Sequence, residues 1–419
     1  MVEKVLQNSN IKRLITNIFS LSLLQIANYV LPLLTVPYLV RVLGPEKYGL
    51  ISFSQAFIQY FILLTDYGFN LSATRKISIY RDDKEKISEI FSAVFFIKIC
   101  LLIISFLIIV FTVLFFRKFR LDFMVYFYTF GMVIGNVLFP VWFFQGMEEM
   151  NYITYLNIAW KTIFTVSIFI FVRNQTDYLN VPLLNSLGYV GIGLFSLCFI
   201  NKKFKVKYVR VKFETVKNEL VDGYYIFIST LATSLYTVSN SFILGLITNN
   251  TIVGYYSATE KIIRAVQGLN NPVSQAIYPY VSKLSYTNKD STIKFIKKVI
   301  KYVGMGSLLV SICIFVLAKP IVFILLGYQY VESLPIMRIL AFLPFLVALS
   351  NIFGIQIMLN FGMEKEFSRI IISASAINIV LAIILAYFYK HVGVSFSVLI
   401  TEIYVTVIMY FTLRKKKIL

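Results

Sequence analysis

Lys161 sits near the middle of the apolar run 151–172, so deep that its side chain must stretch to reach either end. An ammonium in such a run costs about 3 kcal/mol on insertion scales and is kept where it meets a partner or faces a wet cavity. Its chemistry is that of an anion binder. Lys98 lies about two turns inside the run 88–116, where snorkelling to the surface is also open. Glu260, Lys261 and Arg264 form a charged turn early in the run 252–282, with Glu260 and Arg264 at i, i+4 and able to pair; the alternative for that turn is a solvated helix end. Asp66 and Arg75 flank "YGFNLSAT" at the inner end of the run 48–73, and Glu402 lies midway along 393–413. Glu402 is placed either to neutralise one of these cations or to carry a proton, since a buried carboxylate can titrate near neutral pH. Lys98, Lys161, Lys261 and Arg264 against Asp66, Glu260 and Glu402 leave a slight positive excess. A cavity of that sign attracts a phosphate-bearing substrate.

Prolines supply the second set of candidates. Pro32 and Pro37 fall in the run 14–40, and Pro272 and Pro279 in 252–282. Each removes a helix hydrogen bond and favours a bend, which suits a gating helix. They are the expected hinges. No group points to catalysis: Walker A, HExxH and Gly-rich phosphate-loop patterns are lacking, and His391 is expected to be solvated in a tight outer turn. Cys100, Cys198 and Cys313 lie far apart in apolar runs without metal-ligand spacing. Neither an enzyme, a metal site nor a cofactor is expected.

These residues must be positioned by elements suited to lipid. Hydrophobic residues make up 58% of the 419 positions and charged residues 14%, with a mean hydropathy of +0.77. That lies far outside the soluble range. A bilayer core of about 30 Å takes about 20 apolar residues as helix, and a barrel would alternate apolar with polar positions. The run from Ile99 to Phe116 does not alternate, so the fold class is an all-α membrane protein. Twelve apolar runs are expected to span, from 14–40 to 393–413.

The net charge of +20 is not a nucleic-acid signature, because Lys and Arg gather in alternate short connections. That bias places both termini on the cytoplasmic side, with Arg117, Lys118 and Arg120 against the trend. The basic stretch 201–219 near the midpoint reads as a cytoplasmic linker between an N-terminal six-helix bundle, 1–200, and a C-terminal one, 220–419. The halves echo each other: Gly49 and Ser52 of "YGLIS" recur as Gly254 and Ser257 of "VGYYS", and Gly146, Met147 and Glu148 recur as Gly362, Met363 and Glu364. Both echoes fall at equivalent topological points, after the first and the fourth run of each half. A parallel internal repeat follows, as in transporters that rock two halves around a central site.

The segment "VPYLVRVLGPEKYGLISFSQAFIQYFILLTDYGFNLSATRKIS", Val36 to Ser78, closely resembles the N-terminal signature of Wzx-type O-antigen and capsule repeat-unit flippases. "FPVWFFQGMEEM", Phe139 to Met150, and "ILLGYQYVESLPIMRILAF", Ile324 to Phe342, resemble two further parts of that family. The resemblance implies membership of the multidrug/oligosaccharidyl-lipid/polysaccharide exporter superfamily, with two six-helix bundles in a V around a central cavity. It implies a cargo of undecaprenyl-pyrophosphate-linked oligosaccharide, flipped across the bacterial inner membrane by alternating access and coupled to H+ or Na+. Implied partners are this lipid-linked oligosaccharide, membrane lipids and other polysaccharide-assembly membrane proteins, with no nucleic acid. Two rivals stand beside it. A cation-coupled multidrug exporter would prefer acidic and aromatic cavity residues, whereas basic ones are in excess here. A membrane-embedded repeat-unit polymerase commonly carries a larger outer loop than this chain offers.

Overall fold

The computed structural model describes residues 9–287, 289–416 and 418, and among them the chain is all-helical. The first helix, α1, runs Ser9–Asp66. At 1.5 Å per residue such a rod would be far longer than a bilayer is thick, so it has to break. It does so at Gly44 (φ 70°, ψ 173°), a left-handed conformation natural to glycine, and Pro45 follows with the fixed φ that suits a new helix start. Then come α2 (Phe69–Ile79), α3 (Lys84–Phe115), α4 (Phe123–Leu138), α5 (Val141–Gly146), α6 (Met150–Phe171), α7 (Asn180–Phe204) and α8 (Phe213–Ile247). Beyond them lie α9 (Asn250–Gly268), α10 (Asn270–Thr287), α11 (Lys289–Val316), α12 (Ser333–Leu340), α13 (Leu343–Asn351) and α14 (Glu364–Lys415).

The last helix, too long for one crossing, is broken at Lys390 (φ 51°, ψ −129°). The break between α9 and α10 falls just before Pro272, which has no N–H to bond the carbonyl of Gly268. Pro32, Pro37 and Pro279 lie inside continuous helix. Among the described residues, eight helices are long and apolar enough to cross a membrane. Their outward faces match: in α3, Leu107, Phe111, Leu114 and Phe115 are all exposed, a surface fit for lipid and not for water.

The chain packs as two compact units. The first comprises the described residues up to Leu31 with Ser54–Leu231, and the second Pro32–Phe53 with Ala232–Leu419. The core of the first centres on Phe69, Ala73, Phe91, Trp142, Phe143 and Phe144, which join α2, α3 and α5. The core of the second centres on Val281, Ile296, Phe353, Ile357, Ala374 and Met409.

Within the second unit the echoed "YGLIS" and "VGYYS" stretches lie against each other. A Cβ on Gly49 would meet Asn250 O at 1.8 Å, and one on Gly254 would meet Pro45 O at 2.0 Å. The missing side chains let two backbones touch, as at close helix crossings in membranes. The second echo ends helices in both units, with positive φ at Glu148 and at Gly362. His391, expected to be solvated, is 7% exposed and packs on Tyr255 with ring centroids 6.0 Å apart. The turn at Lys390 restarts the helix at once, which leaves no loop to hold that ring in water.

Candidate functional site

In the first unit the break after α1 creates the first polar cluster. Tyr67 and Gly68 take positive φ of 43° and 78°, ending the helix at Asp66. Gly68 lies so close to α8 that a Cβ would come within 2.9 Å of the Gly223 carbonyl, and the Tyr67 ring stacks on Phe227 at 4.9 Å. Asp66 is thereby held at the break, and Lys98 of α3 donates to its Oδ1 at 3.1 Å. Asn136 of α4 offers a second, longer acceptor at 3.5 Å. Lys98 is 1% exposed, so it does not snorkel: the ion pair carries its charge.

Lys161 of α6 meets a neutral partner. Its Nζ donates to Asn28 Oδ1 of α1. The amide satisfies one donor of the ammonium, and among the described residues no carboxylate pairs with it.

A groove of about 740 Å³ opens where α2, α3 and the start of α8 converge, lined by Arg75, Lys76, Lys86, Glu89, Glu219 and Asp222 among others. Lys76 bridges Glu219 at 2.8 Å and Asp222 at 2.6 Å, and Lys86 pairs with Glu89. Arg75 makes no ion pair with a described residue. Burial pushes the Glu219 carboxyl up, against the pull of Lys76 beside it. Replacing Lys76 by methionine strands Glu219, which is 2% exposed, and is expected to cost about 3 kcal/mol. A carboxyl held above its ordinary pKa destabilises the fold fully above that raised value, and the cost fades as pH falls through it. Thermal melts of Lys76→Met should therefore approach wild type on acidification, and Glu219→Gln added to it should restore most of the loss at neutral pH. An equal deficit at every pH would contradict the assignment.

In the second unit Glu260 is the hub. It accepts from Arg264 Nη2 at 2.8 Å and Nε at 3.1 Å, from Ser241 at 3.4 Å and from Tyr256 at 3.5 Å. The i, i+4 spacing thus forms its pair, although Arg264 remains exposed. Lys261 sits over the Tyr48 ring at 5.0 Å, a cation–π contact. Glu402 is half-buried and engaged by a neighbouring group. Ser274, Asn351 and Gln356 form a further network, with Gln356 donating to Ser274 Oγ at 2.9 Å and Ser274 to Asn351 at 2.7 Å.

Residues 14–285 match the family described as "Polysaccharide biosynthesis protein". The chain belongs to this family. Two proteins, each named "Putative O-antigen transporter", align almost end to end. The one from Escherichia coli (strain K12) is 35% identical over 98% of this chain and 99% of its own length. The one from Shigella dysenteriae is 27% identical over 94% and 98%. Among solved structures, the inward-facing conformation of a multidrug resistance MATE family transporter of the MOP superfamily superposes with a TM-score of 0.71 at 14% identity, covering 95% of this chain and 98% of that one. The inward closed conformation of the lipid II flippase MurJ gives 0.69 at 16% identity, covering 94% and 87%. These likenesses show that the chain shares the fold of those two proteins.

In this member of the polysaccharide biosynthesis protein family, the charges singled out within apolar runs include two pairs, Lys98–Asp66 and Arg264–Glu260, while Lys161 meets the Asn28 amide and Lys261 lies over the Tyr48 ring. Sequence reasoning missed Lys76, Glu219 and Asp222. They lie at the ends of apolar runs, where charge normally meets water.

Proposed function

We propose that this chain is a flippase for undecaprenyl-pyrophosphate-linked oligosaccharide repeat units, moving them from the inner to the outer leaflet of the bacterial inner membrane by alternating access. The observation that carries the reading is the 35% identity, over nearly the whole of both chains, with the Escherichia coli protein named as an O-antigen transporter. The fold shared with a lipid II flippase supports it.

Twelve crossings fit the helices. The breaks at Gly44 and Lys390 divide two of the eight long apolar helices into two crossings each, and α8 and the α9–α10 pair add one apiece. An even count keeps both termini on one side, the cytoplasmic side by the distribution of Lys and Arg. Six crossings precede the 201–219 linker and six follow it. Lys161 is the cation that meets the diphosphate, exchanging Asn28 for phosphate oxygens, while the polyprenyl tail stays in lipid. Lys98 is spent on Asp66. Coupling to H+ or Na+ falls to Glu402, a half-buried carboxylate in an apolar run. Partners are the lipid-linked oligosaccharide, bilayer lipids and the membrane proteins that polymerise the repeat unit.

Mass spectrometry of lipid-linked intermediates from a deletion strain tests the reading. Intact repeat units accumulating on the inner face are expected. Single-repeat glycan already outside would instead make the chain a polymerase, and raised drug sensitivity with unchanged glycan would make it a multidrug exporter. Replacing Lys161 by alanine is expected to cut surface polysaccharide at least about tenfold at unchanged protein level, the loss of one charge-assisted contact. Normal polysaccharide in that strain would remove Lys161 from the mechanism.

A further inference from the structure

The connections that follow α2, α5 and α7 come together in the first unit around a pocket of about 220 Å³. Its lining is divided in two. Arg81, Lys84, Lys203 and Lys205 supply four cations, and the remaining wall is apolar, with Met147 and Phe204 on it. No acidic residue lines it. Two acids stand behind it: Glu148 accepts from Arg81 Nη2 at 2.6 Å and Glu149 from Lys203 at 3.0 Å. The Asp83 carboxylate is occupied as the α3 cap, accepting the amides of Glu85 and Lys86. Lys84 and Lys205 therefore remain uncommitted among the described residues.

A second observation points the same way. Arg81 Nε is buried and has no acceptor. A buried guanidinium donor without a partner in the chain is costly unless water or an anion meets it, and the cations around this one favour an anion. The pocket is also rigid. The basic segment 205–212 is pinned along α3, with Lys207 N donating to Ser88 Oγ at 3.3 Å and Val209 N to Ser92 Oγ at 3.0 Å. The Tyr208 ring packs edge-on against Phe91 at 5.7 Å. Lys205 itself adopts a left-handed conformation, φ 56°, at the end of α7, which fixes the turn that carries its side chain.

We propose that this pocket binds a phosphate ester, and that the ester is the headgroup of an anionic bilayer lipid. The three connections follow alternate crossings and so share one membrane face, and the pocket begins where the apolar runs end, at headgroup depth. Cations beside an apolar wall suit a lipid phosphate above its glycerol and first methylenes. The site is separate from Lys161, so its failure would leave the flippase reading untouched.

The test is native mass spectrometry of the full chain in detergent with equal amounts of phosphatidylglycerol and phosphatidylethanolamine. Wild type should retain phosphatidylglycerol preferentially. Lys84→Gln with Lys205→Gln should reduce that retention about thirtyfold, from the roughly fivefold expected per juxtamembrane lysine. Both side chains are exposed, so the fold survives the change. Lys297→Gln with Lys298→Gln, in the other unit, should change nothing; an equal loss there would mean diffuse surface charge and overturn the site. A wild type that retains both lipids without preference, or a Lys84/Lys205 variant that keeps the preference, also overturns it. If inorganic phosphate raises the melting temperature of wild type but not of the Lys84/Lys205 variant while no lipid is retained, the phosphate site stands and its ligand is a soluble ester.

Discussion

Asp66→Ala should lower the stability of the purified protein by about 3–5 kcal/mol, whereas Lys98→Met should cost only about 1–2. The asymmetry comes from exposure. The Lys98 side chain is 2% exposed and that of Asp66 21%. Without Asp66, the ammonium keeps only the Asn136 carbonyl oxygen at 3.5 Å, and no water reaches it. Without Lys98, the carboxylate can hydrate, and methionine fills the space of the lysine stem. The double variant should be more stable than Asp66→Ala alone, because no charge is then left stranded. Thermal melts of the four proteins close the cycle. An Asp66→Ala protein as stable as wild type would mean that the pair does not hold Lys98. Loss of surface polysaccharide in Lys98→Met at full stability would move Lys98 from a structural to a substrate-facing role.

The same pair shows how far the sequence could be read. Lys98 was marked by its place inside an apolar run and Asp66 by its place near the end of another, because hydrocarbon makes an unpaired charge expensive whatever the fold. Burial cost decides which residues need a partner and leaves open which partner each finds. Lys98 found a carboxylate and became buried; Lys161, marked by the same reasoning, found an amide. The distinction depends on which side chains neighbouring helices present at that depth, a tertiary fact that periodicity does not carry.

Near the ends of the helices burial is hidden for a different reason. Lys76, Glu219 and Asp222 stand where a charged residue costs nothing if solvated, so composition gives no reason to pair them. Glu219 is nonetheless 2% exposed, covered by the packing of α8 on α2. A partial signal existed in the basic stretch 205–212, where basic and apolar residues alternate over 205–208 and again, in the opposite register, over 209–212, as in extended chain lying on a surface. Its amides do bond α3 two residues apart. Helix breaks were partly legible. Pro272 sits directly after one, but Pro32 and Pro37 each forfeit a single hydrogen bond inside α1, and the chain turns at Gly44, where the backbone angle itself excludes most side chains.

The echoed glycines stand out in the sequence, and their packing gives the other large effect. Gly49→Ala and Gly254→Ala should each destabilise the protein by more than about 3 kcal/mol, at the upper end of overpacking costs. The atoms a new methyl would strike decide this. For Gly49 they are Asn250 O at 1.8 Å and Gly254 N at 2.6 Å; for Gly254 they are Pro45 O at 2.0 Å and Pro45 C at 2.8 Å. All are backbone, so no rotamer change relieves the clash, and the segment Pro32–Phe53 must separate from α9. Gly245→Ala strikes the Phe53 ring at 2.1 Å, a side chain that can turn only by leaving its stack on Phe242, and should cost less. Gly306→Ala in α11 meets nothing within 4 Å and should gain about 0.5–1 kcal/mol of helix stability. Because Gly49 and Gly254 share one contact, the double variant should cost less than the two single losses together: once the backbones are apart, the second methyl has room. Melting temperatures across this series test the contact directly. A Gly49→Ala protein that melts with wild type, while Gly306→Ala gains, would show that the two repeats do not touch at their glycines.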